Sequence, residues 1–122
     1  MSVGGNIQAL LQVKGKAVKN PIGEVRTPWI DCMSIQGWLD LSTGDSKHTT
    51  FYAKIQESTH IFVCDYMNLT GVINQGEQEP VDVTSDNARM VIDGLVYEIL
   101  LIDNPMNMNE HLEIYLRFVG GQ

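Results

Sequence analysis

Apolar and polar residues alternate with period two along most of the chain, the mark of strands that bury one face. In NIQALLQVK (residues 6–14), Ile7, Ala9, Leu11 and Val13 share one parity and Asn6, Gln8, Gln12 and Lys14 the other, with Leu10 out of step. A short amphipathic helix competes here, because Ile7, Leu10, Leu11 and Lys14 also keep helical spacing. The following KNPIGE supplies Pro21 and Gly23, turn chemistry between two extended arms. WIDCMSIQGWLDL (29–41) carries aromatic and branched side chains on both parities and predicts a long bent strand. Gly37 within it marks a bulge or a close backbone approach. In AKIQESTHIFVCDY (53–66) a polar half gives way to His60, Phe62, Cys64 and Tyr66 alternating with Ile61, Val63 and Asp65. Apolar character on both sides fits a strand in a closed sheet or against another subunit.

The last third repeats the pattern. Asp93-Gly94 between MVI and LVYEILLI predicts a hairpin with a type I′ turn, which needs positive φ at both central residues. A Pro-Met-Asn loop follows, then a strand with Leu112, Ile114, Leu116 and Phe118 on one face and Glu113, Tyr115 and Arg117 on the other. Two stretches break the alternation. STGDSKHTT (42–50) has no aliphatic side chain and predicts a solvated loop, and residues 67–88, rich in Asn, Gln, Gly, Glu and Asp, predict a long connection with at most a short edge strand. An excursion of that length in a small domain usually has a function. Six or so strands with little helix predict a mainly β fold, a small antiparallel barrel or sandwich with long loops.

The 122 residues suit a single domain spanning 1–122, and the 43% apolar and 19% charged composition is that of an ordinary globular protein. Charge refines the picture. Residues 1–29 carry Lys14, Lys16, Lys19 and Arg26 against Glu24 alone, a surplus of +3, so a formal net charge of -7 leaves -10 on the remainder. An acidic body disfavours tight binding along a nucleic-acid backbone, although a surface that DNA slides past is well served by it. The N-terminus has no basic region followed by a hydrophobic run, and nothing approaches a membrane span, so a cytoplasmic protein is expected.

Candidate chemistry is sparse. Cys32 and Cys64 are too far apart for a paired-thiol redox motif and are expected as reduced, partly buried thiols. His48, His60 and His111 are not at ligand spacing, and only a cluster of His60, Asp65 and His111 formed in space would make a pocket. Met67, Met90, Met106 and Met108 offer an adaptable contact surface or simple gap filling. No catalytic residue, cofactor or metal is expected, and an enzyme is not.

The segments GWLDLSTGDS (37–46), KIQESTHIFVCDY (54–66), RMVIDGLVYEILLIDNPM (89–106) and HLEIYLR (111–117) together resemble the head-completion, or head-tail joining, proteins of tailed bacteriophages, most nearly those of siphophages infecting Gram-positive bacteria. The likeness lies in their succession and spans most of the chain. It implies a small β-barrel that assembles in the host cytoplasm as a ring of about twelve copies below the portal and its adaptor in the virion. Such a ring closes the DNA channel after packaging and presents the tail with a docking surface; the free protein is expected to be a monomer. The implied partners are further copies, the adaptor or portal, a tail protein, and DNA that passes without sequence-specific binding; no membrane is implied. The implied channel loop falls on Ser42, Thr43, Gly44, Asp45, Ser46, Lys47, His48, Thr49, Thr50, Phe51 and Tyr52. Partner contacts are expected at Lys14, Lys16, Lys19, Arg26, Met67, Glu77, Glu79, Met106 and Met108. A tail-completion protein, added on the tail side of the same joint, is the nearest alternative, and a small ligand-binding or enzymatic barrel the remote one. Adaptors are mostly helical, unlike this chain.

Overall fold

The computed structural model describes residues 5–15, 17–41, 58–72 and 80–121. Among them are eight strands: β1 (Ile7–Lys14), β2 (Val18–Lys19), β3 (Val25–Arg26), β4 (Trp29–Leu41), β5 (His60–Asp65), β6 (Ala88–Ile92), β7 (Leu95–Asp103) and β8 (His111–Gly121). Six close into an antiparallel barrel in the order β1-β4-β5-β8-β7-β6, with β6 returning to β1; β2 and β3 pair only with each other. The mainly β barrel with little helix is therefore what the residues form. Pro105–Asn107 makes a single 3₁₀ turn.

β1 is a strand, not the competing helix, because ladders on both sides use its backbone: Leu11 pairs with Met33 of β4 and with Met90 of β6. Its odd-numbered face fills the barrel, with Ala9, Leu11 and Val13 buried against Phe62, Met90, Ile114 and Leu116. A small barrel has just room for such side chains and none for a pore.

Three bulges interrupt the barrel ladders, one each in β4 and β7 and one at Val119 of β8, where Val96 pairs with Gly120 but Tyr97 with Phe118. Leu11 pairs with Met33 but Gln12 with Asp31, which leaves Cys32 as the extra residue in β4. Likewise Ile99 pairs with Leu116 and Leu101 with Tyr115, so Leu100 is extra in β7. At the β4 and β7 bulges the inward parity switches, and apolar residues on both parities find cover. Gly37, by contrast, marks a close approach: a Cβ there would lie 2.6 Å from Phe62 Cζ and would collide with the Val63 carbonyl oxygen. The missing side chain makes room for the ring of Phe62, the largest side chain in the centre.

β5 is shorter than the strand expected over 53–66, and residues 53–57 lie outside the described residues. At its start the Thr59 hydroxyl accepts the Phe118 N–H at 2.8 Å while the Thr59 N–H reaches the Leu116 carbonyl at 2.8 Å, so a side chain replaces one rung of the ladder. Because β5 pairs with β8 only as far as Leu116, Phe118 runs beyond its neighbour. It stays 45% exposed, its ring edge-on to Tyr97 at 5.6 Å. The β6–β7 turn has Asp93 at φ 54 and Gly94 at φ 75, the positive pair that a type I′ turn requires.

Candidate functional site

Strands alternate in direction around the barrel, so each connection leaves from one of two ends. One end, here the turn end, carries the Asp93-Gly94 turn and the strand ends Leu41 and Ser58 that flank residues 42–57. The opposite end, the arm end, carries the β2–β3 hairpin, the 66–87 connection and the Pro105–Asn107 turn. The expected channel loop, Ser42 to Tyr52, lies outside the described residues, as do Lys16, Glu77 and Glu79. The remaining expected partner contacts, Lys14, Lys19, Arg26, Met67, Met106 and Met108, all stand at the arm end.

Three structures share that end. β5 and β6 stand on opposite sides of the barrel, and the described parts of the connection between them, residues 66–72 and 80–87, lid the core. Val83 is buried; Met67, Leu69, Val72 and Val81 pack on the core, and Val72 and Val81 exchange backbone hydrogen bonds of 2.8 and 2.7 Å. The length of the excursion is thus used in part to close the chain's own barrel, and Met67 is part of that closure.

The β2–β3 hairpin stands away from the barrel, with Val18, Ile22 and Val25 57, 79 and 66% exposed. Asn20 shapes its tip by accepting the N–H groups of Ile22 and Glu24 at 3.2 and 2.8 Å. At its neck the Gly15 N–H donates to the Pro28 carbonyl at 2.8 Å. Beside the neck the Arg89 guanidinium lies 4.4 Å from the centre of the Trp29 ring and Lys14 Nζ 5.8 Å from it. Arg89 Nε also donates to Gln12 Oε1 at 2.8 Å, and Gln12 Nε2 donates to Asp31 Oδ1 at 2.9 Å. This network joins β1, β4 and β6 where the arm departs.

The third structure is the loop between β7 and β8. Met106, Asn107 and Asn109 all have φ between 53 and 56, left-handed backbone that is costly for a methionine. The Asn104 side chain holds the loop there, accepting the Asn109 N–H at 3.1 Å and donating to Asn109 Oδ1 at 2.7 Å. Met106 is 88% exposed as a result and Met108 58%. Below the loop Asp103 and Glu113 are cross-strand partners. Burial, and next the Glu113 carboxylate, raise the Asp103 pKa, and His111 partly offsets them.

The His60, Asp65 and His111 pocket does not form. Asp65 is opposite His111 at one end of the β5–β8 ladder and His60 is opposite Leu116 at the other. His60 packs edge-on to Tyr97, its Nδ1 2.9 Å from Thr59 Oγ1, while His111 Nε2 lies 3.1 Å from Glu113 Oε2. Among the described residues no group of three or more His, Cys, Asp or Glu side chains is placed to hold a metal ion. A surface groove of about 270 Å³ includes Lys14, Trp29, Arg89 and Glu98, but Arg89 is engaged with Gln12 and Glu98 with Arg117 at 2.6 Å. Cys32 and Cys64 are both buried and unbonded. Cys32 is five residues along β4 from Gly37, the partner of Cys64, roughly 16 Å at strand rise and beyond disulfide reach.

The fold has a solved counterpart. A chain from the virion of a native gene transfer agent particle superposes with a TM-score of 0.54 at 13% identity, over 95% of this chain and 96% of that one. At such identity the likeness is one of fold. No family model matches the sequence, and no curated protein matches it. The alternation of apolar and polar positions does not mark the exposed apolar side chains of the arm, Val18, Ile22 and Val25, as a surface. Their signal was a turn flanked by β-branched residues with too few neighbours to form a strand of the barrel.

Proposed function

We propose that this chain is a virion structural protein of the head-tail joint, acting as a ring below the portal and adaptor that closes the DNA channel after packaging and gives the tail its docking surface. The observation that carries this is the shared architecture, nearly end to end in both chains, with a chain from a gene transfer agent virion. Packing adds a constraint. Phe62, Leu116 and Val13 are fully buried at the barrel centre, so DNA has no path through one copy and the bore must be enclosed by several. A ring of about twelve, matching a portal above it, supplies such a bore. Segment 42–52, which leaves from the turn end, is the proposed plug. Its hydroxyl-bearing and charged side chains suit a water-filled channel, and the net charge of -7 keeps DNA from adhering to the wall.

Electron microscopy and sedimentation of the purified protein, alone and mixed with DNA-filled, tailless capsids of its own phage, test the proposal. A monomer that adds as a ring below the portal and retains DNA is the expected outcome. Decoration of isolated tail ends with no effect on capsids would place the protein on the tail side as a tail-completion protein and withdraw the plug assignment.

A further inference from the structure

We propose that the β2–β3 arm of one copy docks on the β7–β8 loop region of a second copy of this chain, through apolar contact and opposite charge. The copy number of any resulting ring rests on the function proposed above; the contact itself does not.

The arm cannot be there for its own fold. It is a two-residue ladder, too small to be stable alone, and its exposed Val18, Ile22 and Val25 cover no part of the barrel. Three bare aliphatic side chains grouped on one small surface hairpin mark it as a contact surface. Exposed Lys19 and Arg26 outnumber the exposed Glu24 and leave the arm with a net positive charge.

A surface of matching kind exists on the same chain where the arm cannot reach it. Exposed Met106, Met108 and Tyr66 share the arm end with Asp103, Glu110 and Glu113; the Tyr66 N–H donates to the Glu110 backbone carbonyl at 3.3 Å, and Asp103 is opposite Glu113 in the ladder. Directly opposed carboxylates destabilise a ladder; His111, its Nε2 3.1 Å from Glu113 Oε2, offsets this in part, and a cation arriving from outside would add to that relief. Met106 is held in a left-handed conformation by the Asn104–Asn109 hydrogen bonds of its loop, and its side chain stays 88% exposed.

Placement decides the occupant. The arm leaves between β1 and β4, and the loop joins β7 to β8; in the order β1-β4-β5-β8-β7-β6 these gaps are diametrically opposed, at the same end of the barrel. One chain cannot join them. A second copy beside the first can, and it leaves its own arm free for a third. Such a head-to-tail contact propagates and closes into a ring when each step turns by a fixed angle, about 30° for about twelve copies.

The test is zero-length carbodiimide cross-linking of an equal mixture of unlabelled and ¹⁵N-labelled protein at high concentration and low salt, read by mass spectrometry. Mixed-isotope links from Lys19 to Glu110, Glu113 or Asp103 are expected, and they should fall severalfold at about 0.5 M salt. An arm-reversed variant (Lys19→Glu with Arg26→Glu) and a patch-reversed variant (Glu110→Lys with Glu113→Lys) should each lose at least about nine-tenths of the cross-linked dimer, and mixing the two should restore it. The arm variant changes only exposed residues, so loss of folding does not confound it. Absence of arm-to-patch links, or wild-type linking by both variants, would overturn the proposal. Rings formed equally well on capsids by the arm-reversed variant would reject this contact and spare the ring; arm-to-patch links in a protein that ignores capsids would do the reverse.

Discussion

At the scale of single residues, the barrel is set by exclusions of volume and charge. Gly37 is one of these, since Phe62 and the Val63 carbonyl occupy the space of its Cβ. Gly37→Ala should therefore lower stability by about 1–3 kcal/mol through overpacking, seen as a lower urea midpoint with an unchanged slope. Cys64 is an exclusion of charge. Burial, with the Asp65 carboxylate adding to it, pushes its thiol up to about 11 from an ordinary 9.0. The folded chain thus keeps a proton that the unfolded chain releases, so the thiol's contribution is complete below about pH 9 and is lost as pH climbs towards 11. The urea midpoint of the wild type should fall across that interval more than that of Cys64→Ala. Burial also raises Cys32, and thiol reagents should label neither side chain at neutral pH until the protein is unfolded.

At the scale of elements, strands and appendages answer to different forces. The barrel strands share a core, whereas the arm contributes nothing to it. Lys14 and Trp29 are ladder partners, so replacing residues 16–27 with an Asn-Gly turn that joins Gly15 to Pro28 should leave the thermal midpoint within a few degrees of the wild type. The same variant should no longer form cross-linked dimers, which separates folding from association. Deleting residues 43–50 is the matching experiment at the turn end. The barrel should fold and the particle should assemble, but packaged DNA should leak, measured as nuclease-sensitive genome; full retention would dismiss the plug. Much of this level was legible beforehand. Asp93-Gly94 named its turn and the period-two faces of β1 and β8 named their inward residues, because turn sterics and pleat parity act over a few neighbours. The bulges at Cys32 and Leu100 were not legible, since an extra residue is recognised only against the strand it faces.

At the scale of the molecule, closure is the decisive event. β1 near the N-terminus must meet β6, with Leu10 opposite Val91, so the last wall joins residues 81 positions apart. Non-local pairing of this kind folds slowly, in milliseconds to seconds. Removing residues 1–14 should leave β4 and β6 as open edges, giving a chain that binds hydrophobic dyes and aggregates and lacks the near-ultraviolet dichroism of the intact barrel. Closure also fixes which features can act together. It sends His60 and His111 to opposite ends of one ladder and removes the pocket that their sequence left open. It sends the arm and the Met106 loop to opposite sides of one end, where a single chain cannot bring them together.

The sequence by itself determined the strand faces, the type I′ turn, the excess of cation in the first 29 residues and the polarity of segment 42–50, because each follows from side chains acting on near neighbours or on solvent. Only the tertiary structure decided that the six strands close, that the 66–87 connection lids the core, and that Met106 and the arm are left bare. Those outcomes depend on which strands lie side by side, and that order is set by burying one common core, a condition that no local stretch of chain contains.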